Sequence, residues 1–189
     1  MASIADDLDG AASVLVKAPS MDGDRDLCTA LLTDGVASPS VLFVTYTRGA
    51  GACLEGLGEA AADARTVGVI TVGDASASAD RQGVETRTVS TPSDLTGLGI
   101  EIADFVDAWP APVTVCFDSL TAMLQYVDFE TAYEFLHTLT GQFHAADARA
   151  HFHLDPAAHD AATVAALTSL VDAAVALEEE PVVRTRDVP

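Results

Sequence analysis

Three places along the chain carry side chains that could do chemistry. The first is Asp118-Ser119, a carboxylate and a hydroxyl directly after the apolar run Val113–Phe117. An acid and an alcohol at the end of a buried strand can contact a cation or a ligand. The second is Thr47-Arg48, after the apolar run Ser40–Tyr46, where a guanidinium could bind an anion or a carboxylate. The third is His151-Phe152-His153-Leu154-Asp155, with His159 four residues further on. Strand alternation puts His151, His153 and Asp155 on one face, and Phe152 and Leu154 on the other. Histidine and aspartate sets of this kind bind zinc and other borderline metals. Each place also has a plainer reading. Asp118 can cap the next helix or bond a neighbouring strand end, and Arg48 can make a surface salt bridge. The histidines can belong to a sheet strand and bond nearby acids, which is the reading preferred here, so no metal is expected.

The elements that must position these residues alternate between apolar strands and amphipathic helices. Strands are expected at Ser13–Ala18, Ser40–Tyr46, Thr66–Val72, Val113–Phe117, Ala150–Leu154 and Ala173–Leu177, with a short one at Val84–Val89. Helices are expected over about 24–32, 50–62, 94–109, 129–146 and 161–170. Pro110 and Pro112 stop the third of these, and Trp109 anchors its end. A loop rich in Asp, Ala and Ser runs from Gly73 to Gly83, and polar tails flank a core of about 13–178. Strands separated by helices of this length imply βαβ units. The expected fold is therefore a three-layer α/β/α domain with a mostly parallel central sheet, with no interdomain linker. Ligands in such sheets sit beyond the carboxyl ends of the strands. Those ends fall here at 17–23, 47–51, 73–79, 118–121 and 155–159.

Composition narrows the setting. The chain has 189 residues and a formal net charge of −20. Twenty of its 29 acids are aspartate, and Lys17 is its single lysine against eight arginines. Such a surface stays hydrated where salt screens charge to within a few ångströms, as in a salt-loaded cytoplasm. The acidity thus reads as solvation, and the lack of a basic patch argues against direct DNA or RNA binding. No apolar run approaches the ~18 residues of a membrane span, and the N-terminus lacks the layout of a signal peptide. A cytoplasmic protein without membrane insertion is expected. Cys28, Cys53 and Cys116 are odd in number and widely spaced in apolar contexts, which favours buried reduced thiols over disulfides or a zinc site.

The order of segments resembles the RecA/KaiC-like core of P-loop ATPases, and more narrowly the short haloarchaeal KaiC-like family of unknown function. The carrying segments are VLFVTYTRGAGACLEGL, VTVCFDSLTAMLQYVD and HFHLDPAAHDAATVAALTSLVDAAVALE. The resemblance covers about residues 13–178 and implies that Val113–Asp118 is the magnesium-side strand. It also implies a phosphate loop after the first strand, of the form G-x-x-x-x-G-K-[ST], whose lysine reaches the phosphates and whose hydroxyl binds Mg²⁺. In that register Ala18 replaces the first glycine, Gly23 is kept, Asp24 replaces the lysine and Arg25 replaces the hydroxyl residue. An acid against phosphate at about 4 Å costs on the order of 4 kcal/mol at an effective dielectric near 20. KaiC-like ATPases carry acids after the second strand; Thr47 and Arg48 stand there instead, and neither is a general base at neutral pH. The histidine segment is also similar in outline to the H-x-H-x-D-H zinc motif of metallo-β-lactamases, but its third histidine is misplaced and the downstream ligands are missing.

These departures point away from catalysis. The expectation is a non-catalytic, KaiC-like regulatory or scaffold protein of a halophilic archaeon that has lost ATPase activity. It would bind neither ATP with magnesium nor another cofactor, and would act through a protein partner or self-association. Tyr126, Phe129, Tyr133, His137 and Gln142 offer one contact surface. A nucleotide or small-anion sensor using Arg48, Asp118 and the His151/His153 face is the alternative, and a metal-dependent enzyme at His151, His153, Asp155 and His159 is the third.

Overall fold

Apolar residues occupy successive positions of the central strands, which requires a sheet covered on both faces. The computed structural model describes residue 8 and residues 10–19, 25–73, 83–177 and 182–185. Its strands are β1 (Ser13–Lys17), β2 (Ser40–Thr45), β3 (Thr66–Val72), β4 (Val84–Val89), β5 (Val113–Asp118), β6 (Arg149–Leu154), β7 (Ala173–Ala176) and β8 (Val182–Thr185). They form one eight-stranded sheet in the order β4-β3-β2-β5-β6-β1-β7-β8. All pairings run parallel except the antiparallel β7–β8 edge. The mostly parallel three-layer α/β/α architecture expected from the sequence is the one observed.

The path of the chain sets the two helical layers. From β1 it steps across the sheet to β2, then β3 and β4, and afterwards returns through β5, β6 and β7. Right-handed crossovers in opposite directions place their helices on opposite faces. Helices α1 (Arg25–Thr33) and α2 (Ala50–Leu57) pack Cys28, Leu32, Cys53, Leu54 and Leu57 on Val41, Phe43, Val67, Val69 and Cys116. On the other face lie α3 (Leu95–Ala108), the short α4 (Leu120–Met123), α5 (Phe129–Ala145) and α6 (Ala161–Thr168). They cover the alternate strand residues Leu42, Val44, Ile70, Val115, Phe117 and Phe152. Leu136, Leu139 and Phe143 of α5 are core, and Phe152 stands 5.8 Å from Phe117 and 6.4 Å from Phe143, ring centre to ring centre. The carboxylate of Asp172 ties the start of β1 to β7 by accepting from the backbone N–H groups of Ala12 and Ser13 and from the Ser13 hydroxyl.

Several boundaries differ from the sequence reading. The segment assigned to a polar tail contains β8, which completes the sheet edge with mostly exposed residues. Gly58 adopts φ 54°, a left-handed conformation that glycine takes without strain. It ends α2 at Leu57, and the rest of the expected helix is the 3₁₀ turn Gly58–Ala62. The Gly73–Gly83 loop lies outside the described residues over 74–82.

Trp109 anchors the end of α3 as expected, through contact with β3. Its ring meets Phe105 edge-on at 4.8 Å, and both rings lie over Gly68. A Cβ added at Gly68 would stand 2.6 Å from Cη2 of Trp109 and 2.9 Å from Cε1 of Phe105. Overpacking of this kind costs ~1–3 kcal/mol. Gly68→Ala is expected to lower the unfolding free energy by that amount, read as a lower guanidinium midpoint at constant molar KCl, and an unchanged midpoint would show that the two rings yield freely.

Candidate functional site

The carboxyl end of β5 is built by its neighbour β2. The sheet register places Asp118 opposite Thr45, and the backbone N–H of Tyr46 donates to the Asp118 carbonyl at 2.7 Å. The chain then curls around the Thr45 hydroxyl, which accepts from the N–H groups of Thr47 and Arg48 and donates to the Arg48 carbonyl. Such a side-chain-to-backbone turn is a local property of threonine. It aims the next side chains at β5. Arg48 donates from Nε to Oδ2 of Asp118 at 2.7 Å, and the Thr47 hydroxyl donates to the same oxygen at 2.9 Å.

This ion pair is sheltered, with side-chain exposures of 28% for Arg48 and 14% for Asp118. Burial disfavours the Arg48 charge, but the Asp118 carboxylate outweighs it and holds the guanidinium above its ordinary pKa. Asp118 is therefore engaged by a cation from its own chain. Ser119 is turned to another task. Its hydroxyl accepts from the N–H of Ala122 at 3.2 Å and caps α4, so the plainer capping reading applies to Ser119, whereas Asp118 makes an ion pair. The Asp118–Ser119 peptide bond is cis.

Of the residues expected to form a degenerate phosphate loop, Gly23 and Asp24 lie outside the described residues. Ala18 is buried just past β1, where its N–H donates to the Leu154 carbonyl and extends the ladder to β6. Arg25 opens α1 with its side chain beside Gly56 of α2.

The four residues of the histidine segment divide into two groups. Asp155 caps the 3₁₀ turn Pro156–Ala158, and its N–H donates to the Thr121 hydroxyl at 2.9 Å. His159 Nε2 lies 3.2 Å from that same hydroxyl. Both residues thus gather around α4 at the carboxyl end of the sheet. His151 and His153 instead point to the α1 face, where they are 2% and 4% exposed, and meet two cysteines that the sequence reading treated as inert. The ligand atoms of Cys28, Cys116, His151 and His153 all lie within 4.8 Å of one another. The Sγ atoms of Cys28 and Cys116 are 3.3 Å apart, and His151 Nε2 is 3.2 Å from Cys28 Sγ.

The three thiols differ in their electrostatic surroundings. Contact with Cys116, reinforced by the adjacent imidazoles, holds Cys28 well below the usual thiol range despite burial. Burial and the Cys28 sulfur push Cys116 well above it. Burial raises Cys53, which stands outside the cluster, to about 11. The three cysteines are free and buried. Their pairing with histidine had one sequence cue, the His-x-His alternation; the register that sets Cys116 against His151 is visible only in the sheet.

Fold and site together define a three-layer α/β protein in which an internal ion pair links the carboxyl ends of β2 and β5. The chain belongs to a family of unknown function, DUF7504, whose model matches residues 11–177. No curated protein matches it. Its fold is similar to that of a solved protein from Pyrococcus horikoshii OT3, with a TM-score of 0.67 and 14% identity over 94% of this chain and 87% of that one. In all, 129 solved chains match, so the likeness identifies a widely used scaffold and leaves function to be read from the site.

Removing the guanidinium leaves Asp118 sheltered with the Thr47 hydroxyl alone. Arg48→Ala is expected to destabilise the chain by ~1–3 kcal/mol, the range for hydrogen bonds to charged groups. Arg48→Lys should restore only part of this, because the bond is made from Nε. Denaturant unfolding of both variants at fixed KCl checks the order; equal stability of wild type and Arg48→Ala would remove the pair from the account.

Proposed function

We propose that this protein is a non-catalytic, KaiC-like regulatory or scaffold protein of a halophilic archaeon, cytoplasmic and acting through contacts with other proteins. The observation that carries the proposal is the Arg48–Asp118 pair. A carboxylate serves a nucleotide-bound magnesium by offering its oxygens to the ion. Here Oδ2 accepts from both Arg48 and Thr47. A magnesium ion would have to displace a guanidinium at 2.7 Å, and the displaced arginine would be left half-buried without its partner. The acidic substitution at Asp24 and the loss of acids at 47–48 act in the same direction. The same pair weakens the anion-sensor alternative, since the cation nominated to hold the anion is already neutralised.

Contacts with other proteins are supported by apolar side chains left at the surface. Tyr126 is 53% exposed and Phe129 39%, and Tyr126 stacks on Tyr46 at 6.3 Å beside the crevice. His137 and Gln142 are exposed on α5, whereas Tyr133 is half-buried against Phe129. Exposed aromatics at the end of a helix are suited to anchoring an interface. A net charge of −20 opposes self-association in dilute salt and is screened in molar salt.

Two measurements test the proposal. Purified protein in molar KCl with magnesium is expected to hydrolyse ATP well below about 1 s⁻¹, the low end of typical enzymes, and to show no thermal shift with nucleotide. Turnover above that rate would overturn it, and a nucleotide- or anion-dependent rise in Tm would favour the sensor. In high-salt sedimentation or pull-down, Tyr126→Asp with Phe129→Asp is expected to weaken the association at least about tenfold, equivalent to 1.4 kcal/mol. Wild-type protein that sediments as a monomer and captures no partner would contradict the scaffold role.

A further inference from the structure

The structure assigns a second site, independent of the crevice: we propose that Cys28, Cys116, His151 and His153 form a closed tetrahedral zinc site between α1 and the sheet. The four donors come from three rigid elements. Cys28 lies on α1, Cys116 on β5, and His151 and His153 on β6. Sheet register sets the last three, with Cys116 of β5 opposite His151 of β6 and Val16 of β1 opposite His153 of β6. Alternation sends all three side chains to the α1 face, and the packing of α1 brings Cys28 onto them.

The geometry suits one ion. Zinc bonds of about 2.3 Å to sulfur and about 2.0–2.1 Å to nitrogen place tetrahedral ligand atoms roughly 3.3–3.8 Å apart. The sulfurs here are 3.3 Å apart and His151 Nε2 is 3.2 Å from Cys28 Sγ. Every pair lies within 4.8 Å, so closure onto an ion needs movements of at most about 1 Å, within rotamer adjustment. The His151 and His153 rings cross at 72° with centres 5.1 Å apart, which lets a nitrogen of each face a common point.

The chemistry of the surroundings narrows the ion and its role. Two thiols and two imidazoles form a donor set that selects zinc among common divalent ions, whereas magnesium and calcium require oxygen ligands. Binding releases one proton from each thiol, and two thiolates then cancel the charge of Zn²⁺. The resulting neutral unit can be buried without the penalty of an isolated charge. Each ligand residue is at most 6% exposed, and Leu32, Val41 and Phe43 belong to the same packed layer. With four protein ligands and no open position, the site is structural. It would fasten the first turn of α1, the helix that follows the degenerate loop, directly to β5 and β6. This site differs from the set suggested by sequence, since Asp155 and His159 are held at Thr121 and two cysteines take their places.

The test uses untagged full-length chain expressed with zinc and purified in molar KCl without chelator. Elemental analysis is expected to find about one zinc per chain, as a four-ligand site requires. Exchange with Co²⁺ should give thiolate-to-metal charge transfer and the intense visible bands of tetrahedral cobalt, and X-ray absorption should show a mixed sulfur and nitrogen shell. Removal of metal should lower Tm, and zinc should restore it. Cys28→Ser and Cys116→Ser should each lower zinc affinity at least about tenfold, whereas Cys53→Ala should keep full stoichiometry. The wild-type cobalt spectrum decides the matter even where a serine variant fails to fold. The proposal is overturned by metal-free protein that, after phosphine reduction, takes up no Co²⁺ or gives only a weak octahedral spectrum. Full zinc content in folded Cys28→Ser or Cys116→Ser overturns it equally.

Discussion

Burial of a parallel sheet on both faces is the constraint from which the other features of this protein follow. Strands β2, β5 and β6 are covered by helices above and below, so polar side chains have two permitted locations. They can sit past the carboxyl ends, where the chain turns and water enters, or stay within a layer if they satisfy one another. Arg48, Thr47 and Asp118 take the first solution. Cys28, Cys116, His151 and His153 take the second, and their close mutual approach is what makes so polar a group tolerable in an apolar layer.

The end of β5 shows how residue type decides what a strand end can do. Thr45 folds the loop after β2 back on itself, which would present any residue at position 48 to Asp118. With an acid there, two carboxylates would face a common space and attract a cation. With arginine, the loop and the strand end neutralise each other. Coulomb attraction at 2.7 Å in a sheltered setting is screened by salt less than attraction between fully exposed charges.

Stability in this chain rests mainly on uncharged packing. Phe117, Phe143 and Phe152 form one aromatic contact through the α5 layer, and Trp109 with Phe105 closes over Gly68. Charged networks occur at the edge, where Arg87 of β4 meets Glu85 and Glu101 and lies 4.3 Å over the Phe105 ring. A surface dominated by aspartate contributes hydration, and the core has to supply cohesion without help from long-range charge pairing.

The amino-acid sequence by itself determined the fold class, because continuous apolar strands spaced by amphipathic helices leave only a covered parallel sheet. It also located Asp118, Arg48 and the histidine strand at meaningful points of that sheet, since strand ends and alternation are local properties. It did not reveal β8, whose four mostly exposed residues carry no alternating apolar pattern, nor the 3₁₀ turn that starts at Gly58, a residue with positive φ. Which side chains meet was decided by the tertiary structure. Arg48 reaches Asp118 because β2 and β5 are neighbours 70 residues apart. His151 meets Cys116 because β6 lies beside β5, and Cys28 joins them because α1 crosses over both strands. Local pattern fixes what each element is, and only strand order and helix packing bring distant residues within bonding distance.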